Sequence, residues 1–455
     1  MKKLNLAAAA LAALLIGGAA EAQYPVPQVQ SIGPNDLFQD VVNGIPQAQS
    51  FYASAALLSG TFSSAGANFI IGGDPSTNLF QRTLTPTTAV TGGTGATVVY
   101  TADRWASWEA LAGSTANSTA IVTTAATLGP GATKSMLFRL TNSQTGTAQV
   151  CTAQEIAYRS ALQLASHTVE ADFNVYAGAT YTGTAQNAYI IYGTDASGDN
   201  GTANLAFGLN ANSVSSTAWA GQTNASTGAF TIGAASTMYR DMVVASIPST
   251  ATEVALAICW TPSGTSSGTG GTDGLYLSNI ELRKADYLSN WVNSTTAYAV
   301  NTSTNQVQAT INGTLSNIVV PAFSWREPAT EALLQYSYYY QVWELATVNW
   351  AQGINGQYEA ASTCFANVTF PIVMRATPTL IESAITTSTF AVQSSGTTNE
   401  APKALAGSTT SGLGLLGATT QQAALSFITA NAVQYNSCSV VSAAGSGWFA
   451  FNSEL

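Results

Sequence analysis

Short apolar runs separated by turn-forming residues fill the middle of the chain, residues 98–283. Examples are SMLFRLTN, VEADFNVYAG, NAYIIYGT, NLAFGLN, DMVVASIP, EVALAICWTP and GLYLSNIELR. In residues 170–176, apolar side chains at 171, 173 and 175 alternate with polar ones, which is the period of a β-strand. Runs of about four to eight residues that end in Gly, Ser or Asn are typical of a β-sandwich.

Charged residues are too scarce to cover the solvent faces of many helices. They make up 8% of the chain, against roughly 25% in ordinary soluble domains. The small hydroxyl, amide and β-branched residues that replace them suit pleated surfaces and turns. The sequence therefore predicts an all-β protein with an uncharged, hydroxyl-rich exterior. The net charge of −10 argues against nucleic-acid backbones and anionic membrane surfaces as partners.

At 455 residues, the chain is long enough for two or three domains. The best helix of the mature chain lies within residues 325–346, where Pro328 suits an early helical position and Glu331, Leu334 and Tyr338 follow at helical spacing. Its tyrosine-rich second half equally suits a strand. We expect a leader at 1–22, an N-terminal arm or attachment region at 23–97, a β-sandwich at 98–288, a linker with a short helix at 289–346 and a C-terminal β domain at 347–455.

The N-terminus has the layout of a secretory signal peptide. Lys2 and Lys3 precede an apolar run at 4–20, and Ala-Glu-Ala at 20–22 suits a cleavage site. The later sequence has no run of about 18 uninterrupted apolar residues, the length that a spanning helix needs. We therefore expect export, and no membrane association once the leader is removed.

Cys151, Cys259, Cys364 and Cys438 show no CxxC spacing, which argues against zinc and thioredoxin-like sites. Export permits disulfides. Domain placement favours Cys151–Cys259 and Cys364–Cys438 among the three possible pairings, and buried free thiols are the alternative.

Catalytic groups are hard to find. His167 is the one histidine, and it precedes a predicted strand, so we interpret it as a strand-end polar residue. Glycoside hydrolysis needs only two carboxylates, but we expect Glu170 and Asp172 to share neither face nor direction. The sequence therefore predicts no enzyme, no catalytic residues and no cofactor, with a glycan depolymerase as the less favoured alternative.

Sugar binding suits the composition better. Sandwiches that hold sugars stack aromatic rings on the sugar and use neutral amides and hydroxyls as hydrogen-bonding groups. Our candidate binding residues are Tyr181, Tyr192, Trp219 and Trp260. The alternative is that most aromatic rings fill the core or pack between subunits.

Several motifs occur in a distinctive order: ANFIIGGDPSTNLFQRT at 67–83, VVYTADRW at 98–105, the sandwich-closing segment at 247–282, REPATEALLQYSYYYQV at 326–342, VTFPIVMRATPTL at 368–380 and GWFAFNSEL at 447–455. Together they resemble a family of tailed-bacteriophage virion proteins in which a central jelly-roll domain begins at an Asp-Arg-Trp motif. The resemblance covers about residues 67–455. Leu334 stands where the family usually has cysteine, and Tyr336–Ser337 replaces an arginine step.

The resemblance implies a structural role as a tail fibre, spike or head-surface component at the virion surface. It implies a central jelly roll, a C-terminal β-sandwich-like domain that joins a homotrimer, other virion proteins as partners and a host-surface glycan as ligand. It also implies a structural calcium near Asp273, where one carboxylate meets only part of calcium's demand for six to eight oxygens. Because virions assemble in the cytoplasm, the leader indicates an exported prophage product or an uncleaved leader. The alternative is an exported bacterial carbohydrate-binding or adhesive surface protein.

Arg375 is an isolated cation in an apolar stretch between Pro371 and Pro378. We expect it on a short strand, paired with Glu382 or with a carboxylate of the C-terminal residues Glu454 and Leu455. A solvated arginine is the alternative.

Overall fold

The computed structural model divides the chain into two compact units, Met1–Ala65 and Gly66–Leu455. It describes residues 41–42, 45–46, 68–79, 81, 90–91, 99–109, 117–122, 124–140, 145–146, 149–156, 158–194, 209–210, 213–214, 221–265, 273–293, 295–342, 354–360, 363–382, 390–394, 403–404, 413–428, 437–442 and 449–453. The leader at 1–22 lies outside these residues. In the first unit, β1 (Val41–Val42) and β2 (Ile45–Pro46) pair antiparallel.

The central part of the second unit is an antiparallel β-sandwich. Its strands are β3 Val90–Thr91, β4 Val99–Ala102, β5 Trp105–Glu109, β6 Asn117–Val122, β7 Ser135–Leu140, β8 Thr145–Gly146, β9 Val150–Ile156, β10 Thr168–Ala177, β11 Gly183–Gly193, β12 Leu209–Asn210, β13 Ser213–Val214, β14 Thr223–Phe230, β15 Met238–Ser246, β16 Glu253–Pro262, β17 Gly264–Thr265, β18 Gly274–Lys284 and β19 Tyr298–Ala299. A short 3-10 helix, Ala125–Thr127, precedes β7, and helix α1, Tyr158–Leu164, follows β9.

Two sheets form the layers of this sandwich. The first has the order β19-β15-β10-β18-β7-β6-β3, and the second has the order β14-β11-β16-β9-β5-β4. The successive strands β9, β10 and β11 lie in alternate sheets, and so do β14, β15, β16 and β18. This alternation is a jelly-roll pattern. The all-β prediction is confirmed.

The core lies between the two sheets. Phe138, Phe173, Ile190 and Trp260 are fully buried there, and helix α1 adds Ala161 and Leu164. The alternation in β10 is confirmed, because residues 171, 173 and 175 all point into this core.

Residues 286–293 and 295–342 follow the sandwich and lie largely within the range 289–346, which we expected to be a linker with a short helix. They contain a 3-10 helix (Asp286–Trp291), a hairpin of β20 (Gln306–Ile311) and β21 (Thr314–Val319), helix α2 (Pro328–Tyr336) and β22 (Tyr339–Val342). Val307 of the hairpin and Trp291 join Met242 and Val244 in a second buried cluster on the outer face of the first sheet. Helix α2 begins at Pro328 as predicted, and the tyrosine-rich segment after it passes into β22.

The C-terminal part is a second, smaller pair of antiparallel sheets. Its strands are β23 Ile354–Ala360, β24 Thr363–Thr369, β25 Thr379–Glu382, β26 Phe390–Ser394, β27 Lys403–Ala404, β28 Leu413–Ala418, β29 Gln422–Ile428, β30 Ser437–Ser442 and β31 Phe449–Asn452. They form a sheet of order β27-β26-β30-β23-β24-β29-β28 and a sheet of order β22-β31-β25. Phe427, Phe449 and Phe451 are fully buried in its core.

Each sandwich carries a disulfide, in the pairing that domain placement favoured. Cys151 and Cys259 are partners in the β9–β16 register, with Cα atoms 4.1 Å apart. Cys364 of β24 bonds to Cys438 of β30, with Cα atoms 6.1 Å apart. Within the described residues, no helix is both long and apolar enough to cross a bilayer.

Candidate functional site

The three predicted aromatic residues that the structure describes, Tyr181, Tyr192 and Trp260, do not form an open binding face. Trp260 is fully buried in the sandwich core, and the Tyr181 ring packs against it with centroids 5.2 Å apart. The Tyr181 hydroxyl accepts a hydrogen bond from Gln186 Nε2 at 2.7 Å. Tyr192 is half-buried against the same core, and Trp219 lies outside the described residues. The expectation for Trp260 is therefore wrong, because a ring with no exposed surface cannot stack on a sugar.

Asp273 has a local structural role. Its carboxylate accepts the Thr182 N–H at 3.0 Å and the Thr182 hydroxyl at 3.1 and 3.2 Å, which fixes the turn after β10. Burial raises the pKa of Asp273, and the hydrogen bonds from Thr182 oppose this shift. Across the described ranges, no group of three or more His, Cys, Asp and Glu side chains comes together as a metal site.

The family-like motifs meet in one place, which we call the signature junction. It comprises Gly72, Asn78, Gln81, Asp103, Arg104, Trp105, Glu331, Gln335, Tyr338, Arg375 and Ser453. Gln81 illustrates how it is built. Its amide nitrogen donates to Asp103 Oδ2 at 3.0 Å and to the Tyr339 carbonyl at 2.8 Å, and its oxygen accepts the Gln341 N–H at 3.0 Å. The buried side chain of Gln81 thus joins the segment that precedes the sandwich to the β4–β5 turn and to β22.

The Gly-Gly-Asp-Pro turn fits the junction because it lacks side chains at two positions. Gly72 has φ +65°, and its carbonyl accepts the Trp105 Nε1–H at 3.0 Å. A Cβ on Gly73 would lie 2.0 Å from the Ile280 carbonyl oxygen, so the backbone approaches β18 more closely than any other residue allows. These two glycines let the turn dock on the sandwich.

Helix α2 is bonded to the N-terminal segment through its polar side chains. Gln335 is fully buried; its oxygen accepts the Leu79 N–H at 2.7 Å, and its nitrogen donates to the Thr77 carbonyl at 3.1 Å. Glu331 accepts the Gly72 N–H and a 2.8 Å bond from Arg326. Arg326 also donates to the carbonyls of Ile70 and Asn68. The helix therefore fastens residues 68–79 to the sandwich.

Two arginines from distant motifs lie over one tyrosine ring. Arg104 has φ 69° in the tight turn between β4 and β5, and its guanidinium carbon is 3.7 Å from the centroid of Tyr338. The guanidinium carbon of Arg375 is 5.5 Å from the same centroid, and its backbone N–H donates to the Ser337 carbonyl at 2.8 Å. Both distances lie within the reach of cation–π attraction.

The strand expected around Arg375 is therefore wrong. β24 ends at Thr369 and β25 begins at Thr379, and Arg375 lies in the connection between them. Prolines at 371 and 378 interrupt strand pairing there. The structure does not describe the side chain of Glu382 or the residues Glu454 and Leu455. The expected ion pair therefore stays a prediction.

A layer of buried charge lies on the outer face of the first sheet. Arg240 Nε donates to Asp172 Oδ1 at 2.9 Å, and Arg283 contacts Glu170 and, at 2.8 Å, Glu281. The expectation for Glu170 and Asp172 is wrong: they are two residues apart on β10, so they share a face.

These carboxylates hold other parts of the chain and offer no open acid pair. Glu170 and Asp172 are 0% and 2% exposed. Arg240 also donates to Asn305 Oδ1 and to the Pro321 carbonyl, both at 2.7 Å, and Glu281 accepts the Ser324 N–H at 3.1 Å. The layer thus fastens residues 305–324 across the sheet. His167, just before β10, contacts Asp286 at 2.7 Å, which agrees with its interpretation as a strand-end residue.

A shallow cleft, open to solvent, lies beside the signature junction, and its enclosed space of about 10 Å³ has room for about one water molecule. We call it the Trp325 cleft. It is lined by Asn68, Ile70, Gly73, Asp74, Thr77, Phe323, Ser324, Trp325, Arg326 and Glu331. Trp325 is 48% exposed, and its ring meets Phe323 edge-on with centroids 4.9 Å apart. A Cβ on Gly131 would lie 2.7 Å from Trp325 Cζ2, so the backbone at Gly131 packs closely against the indole.

Asp74 is the unusual polar group of the cleft. It is 4% exposed, and its Oδ1 accepts the Ser76 N–H at 2.9 Å. Its Oδ2 is buried and has no hydrogen-bond partner among the described residues. Burial raises the pKa of Asp74; the bonds from Ser76 oppose this shift, and Glu331 adds to it.

Sequence reasoning missed Asp74 and Trp325 as a pair because 251 positions separate them (325 − 74). Both lie inside or beside family-like motifs, GGDPST and SWREPATE. The location of both residues in or beside these motifs was the one signal that the sequence offered.

No protein-family model and no curated protein matches the chain. Among solved structures, it is similar to the enzymatically active domain of tailspike protein 4 of bacteriophage CBA120, with 10% identity, a TM-score of 0.25 and coverage of 48% of this chain and 21% of that one. It is similar to TmCBM61 in complex with β-1,4-galactotriose (8% identity, TM-score 0.25, 48% and 99% coverage). It is also similar to a putative sugar binding protein from Bacteroides thetaiotaomicron (13% identity, TM-score 0.25, 48% and 100% coverage). At these scores, the likeness carries no argument about function.

Proposed function

We propose that this protein binds a host-surface glycan without transforming it, as a tail-fibre, spike or head-surface component of a tailed-phage virion. The observation that carries the glycan-binding role is the Trp325 cleft. Its indole is 48% exposed and meets Phe323 edge-on, and an exposed aromatic ring is what sugar sites stack on a sugar. The scarcity of charge on the chain supports a neutral contact surface.

The signature junction supports the virion assignment in a different way. Described side chains of the motifs that resemble the virion family are buried and bonded to one another, so they support the architecture. A component that must transmit force between a particle and a host surface benefits from such a rigid connection. We expect the junction to persist in a homotrimer whose C-terminal domains meet.

Removal of the indole tests the binding role. We expect the full chain to bind glycans on a host-polysaccharide array, and W325A to lose about tenfold or more in affinity, because stacking area and desolvation are lost together. Y287A is the matched control, since Tyr287 is 60% exposed and does not line the cleft. Equal binding by W325A and the wild type would refute the assignment of the cleft. Release of reducing ends from the bound polysaccharide would instead identify a depolymerase.

The leader-like N-terminus favours a second candidate, an exported bacterial carbohydrate-binding or adhesive protein. Mass spectrometry of purified particles separates the two. Presence in particles in stoichiometric amounts supports the virion role, whereas abundance in the culture medium alone supports the exported adhesin. Sedimentation of the purified chain adds a further check, because a stable monomer contradicts the proposed trimer.

A further inference from the structure

We propose that the chain cleaves its own peptide bond between Asp74 and Pro75, by attack of the Asp74 side-chain carboxyl on the Asp74 main-chain carbonyl carbon. This activity goes beyond the proposed glycan binding and does not depend on it. The sequence contains a single Asp-Pro pair, in the Gly-Gly-Asp-Pro turn. Both residues of the pair are buried in the structure.

The attacking carboxyl is tied to the turn that contains the bond. The Ser76 N–H donates to Asp74 Oδ1 at 2.9 Å, and this hydrogen bond closes a ring of atoms that includes the Asp74–Pro75 peptide bond. Oδ2 is buried and has no hydrogen-bond partner among the described residues. Attack by Oδ2 forms a five-membered cyclic anhydride, and a reacting group that is held next to its target needs no encounter in solution.

Two donors polarise the carbonyl of the same bond. The Asp74 carbonyl oxygen accepts the Thr77 N–H at 3.1 Å and the Thr77 hydroxyl at 3.0 Å. Negative charge develops on this oxygen when the carboxyl adds to the carbonyl carbon, and fixed donors stabilise such charge. The turn therefore presents an attacking group and an electrophile on the same residue.

The surroundings of Asp74 favour its protonated form. Burial raises the pKa of Asp74 and Glu331 adds to this shift, whereas the bonds from Ser76 and the charge of Lys134 oppose it. Arg326 lines the same cleft and is paired with Glu331 at 2.8 Å. The neutral carboxyl therefore persists to a higher pH than on an exposed chain, so self-cleavage should become faster as the pH falls.

The reaction consumes one water molecule. In the first step, a C–O bond forms between Oδ2 and the carbonyl carbon, the C–N bond to Pro75 breaks, and the carboxyl proton moves to the proline nitrogen. This nitrogen leaves a tertiary amide and becomes the amine of a new N-terminus. In the second step, water opens the anhydride and leaves two carboxyl groups on Asp74. The cleft beside Trp325 borders Asp74 and has room for about one water molecule.

The new ends would remain bound to the sandwich. Before the cut, the Gly72 carbonyl accepts the Trp105 indole N–H at 3.0 Å, and the Gly73 carbonyl accepts the Ile280 N–H at 2.8 Å. These bonds do not involve the Asp74–Pro75 peptide. The cleaved protein should therefore stay together under native conditions and separate in denaturant.

The test follows the purified full chain over days at about pH 5, 6, 7 and 8, by denaturing electrophoresis and intact-mass spectrometry. We expect two fragments, one that ends at Asp74 and one whose N-terminal sequence is Pro-Ser-Thr-Asn-Leu, with masses that add up to the chain plus one water. The rate should be independent of protein concentration and highest at the lowest pH. The same chain unfolded in urea should be cut at least about tenfold more slowly, because the turn no longer holds the reacting groups together.

Three variants separate the roles of the side chains. D74N removes the attacking acid and should abolish the cut. T77V keeps the backbone donor but removes the hydroxyl donor, and should slow the cut about tenfold or more. D273N is the matched control, because Asp273 is also buried and accepts a threonine N–H but precedes a glycine. It should be cut at the wild-type rate.

A wild type that stays intact at every pH overturns the inference, and so do equal rates for the native and the urea-unfolded chain. Undiminished cutting in D74N or T77V overturns it as well. Circular dichroism identifies a variant that fails to fold; should D74N fail, T77V and the comparison of native with unfolded chain decide. Glycan binding is measured separately on the array, so a negative result here leaves the proposed function standing.

Discussion

Contacts between single residues hold the distant motifs of this chain together. Arg375 is a cation in an apolar stretch, and its guanidinium lies over the ring of Tyr338, as does that of Arg104. The motifs themselves were visible in the sequence, but this contact was not, because any of the 18 tyrosines could have provided the ring.

Truncation of Tyr338 should weaken the whole second unit. Y338L removes a ring that is 6% exposed and lies beneath two guanidinium groups, so we expect a loss of about 2–4 kcal/mol in the free energy of unfolding. Urea denaturation measures it. L315A, at a residue of β21 that is 63% exposed, should stay within about 0.5 kcal/mol of the wild type. Equal losses in the two variants would show that the ring position is unimportant.

Asp241 should make stability depend on pH. It pairs with Phe173 in the β10–β15 register and therefore faces the sandwich core, where burial, with a contribution from Asp172, raises its pKa from 3.8 to about 7. Between about pH 4 and 7 the native state keeps a proton that the unfolded chain has released. Stability therefore falls as the pH rises through this interval, by on the order of 1 kcal/mol per pH unit.

D241N removes this proton linkage. We expect its stability to match that of the wild type near pH 5 and to exceed it at pH 8, as measured by melting temperature across the pH series. Some slope should remain, because burial also raises the pKa of Glu281 to about 7 despite Arg283. Parallel curves for the two proteins would contradict a proton held by Asp241.

At the scale of secondary-structure elements, sequence periodicity predicted structure more successfully than it predicted function. The alternation of β10 correctly assigned its core face, and Pro328 correctly marked the start of helix α2. The partners of the polar face could not be predicted, because Arg240 and Arg283 come from strands far along the chain. The low content of charged residues also gave no indication that many of the few charged side chains are buried.

Helix α2 should lose its connection to residues 68–79 when Gln335 is removed. Q335A leaves the Leu79 N–H and the Thr77 carbonyl without their partner, at a cost of about 1–3 kcal/mol for each buried group. Limited proteolysis should then cut within residues 68–79 faster than in the wild type. Q308A, at an exposed glutamine of β20, is the control. Unchanged cleavage in Q335A would contradict the role of the helix as a fastener.

At the scale of the whole molecule, composition correctly indicated the all-β class, and the order of motifs anticipated two sandwiches with a helix between them. Composition could not locate a binding surface, because buried and exposed aromatics look alike in a sequence. Trp260 and Trp325 illustrate this: the first is fully buried and the second is 48% exposed. Only the fold places Trp325 beside Asp74.

The most direct test of a glycan-binding role is a crystal structure of the full chain soaked with the neutral saccharide that binds best. We predict an intact sugar unit stacked on the exposed indole of Trp325. A saccharide bound elsewhere with Trp325 bare, or a cleaved product in the crystal, would contradict it.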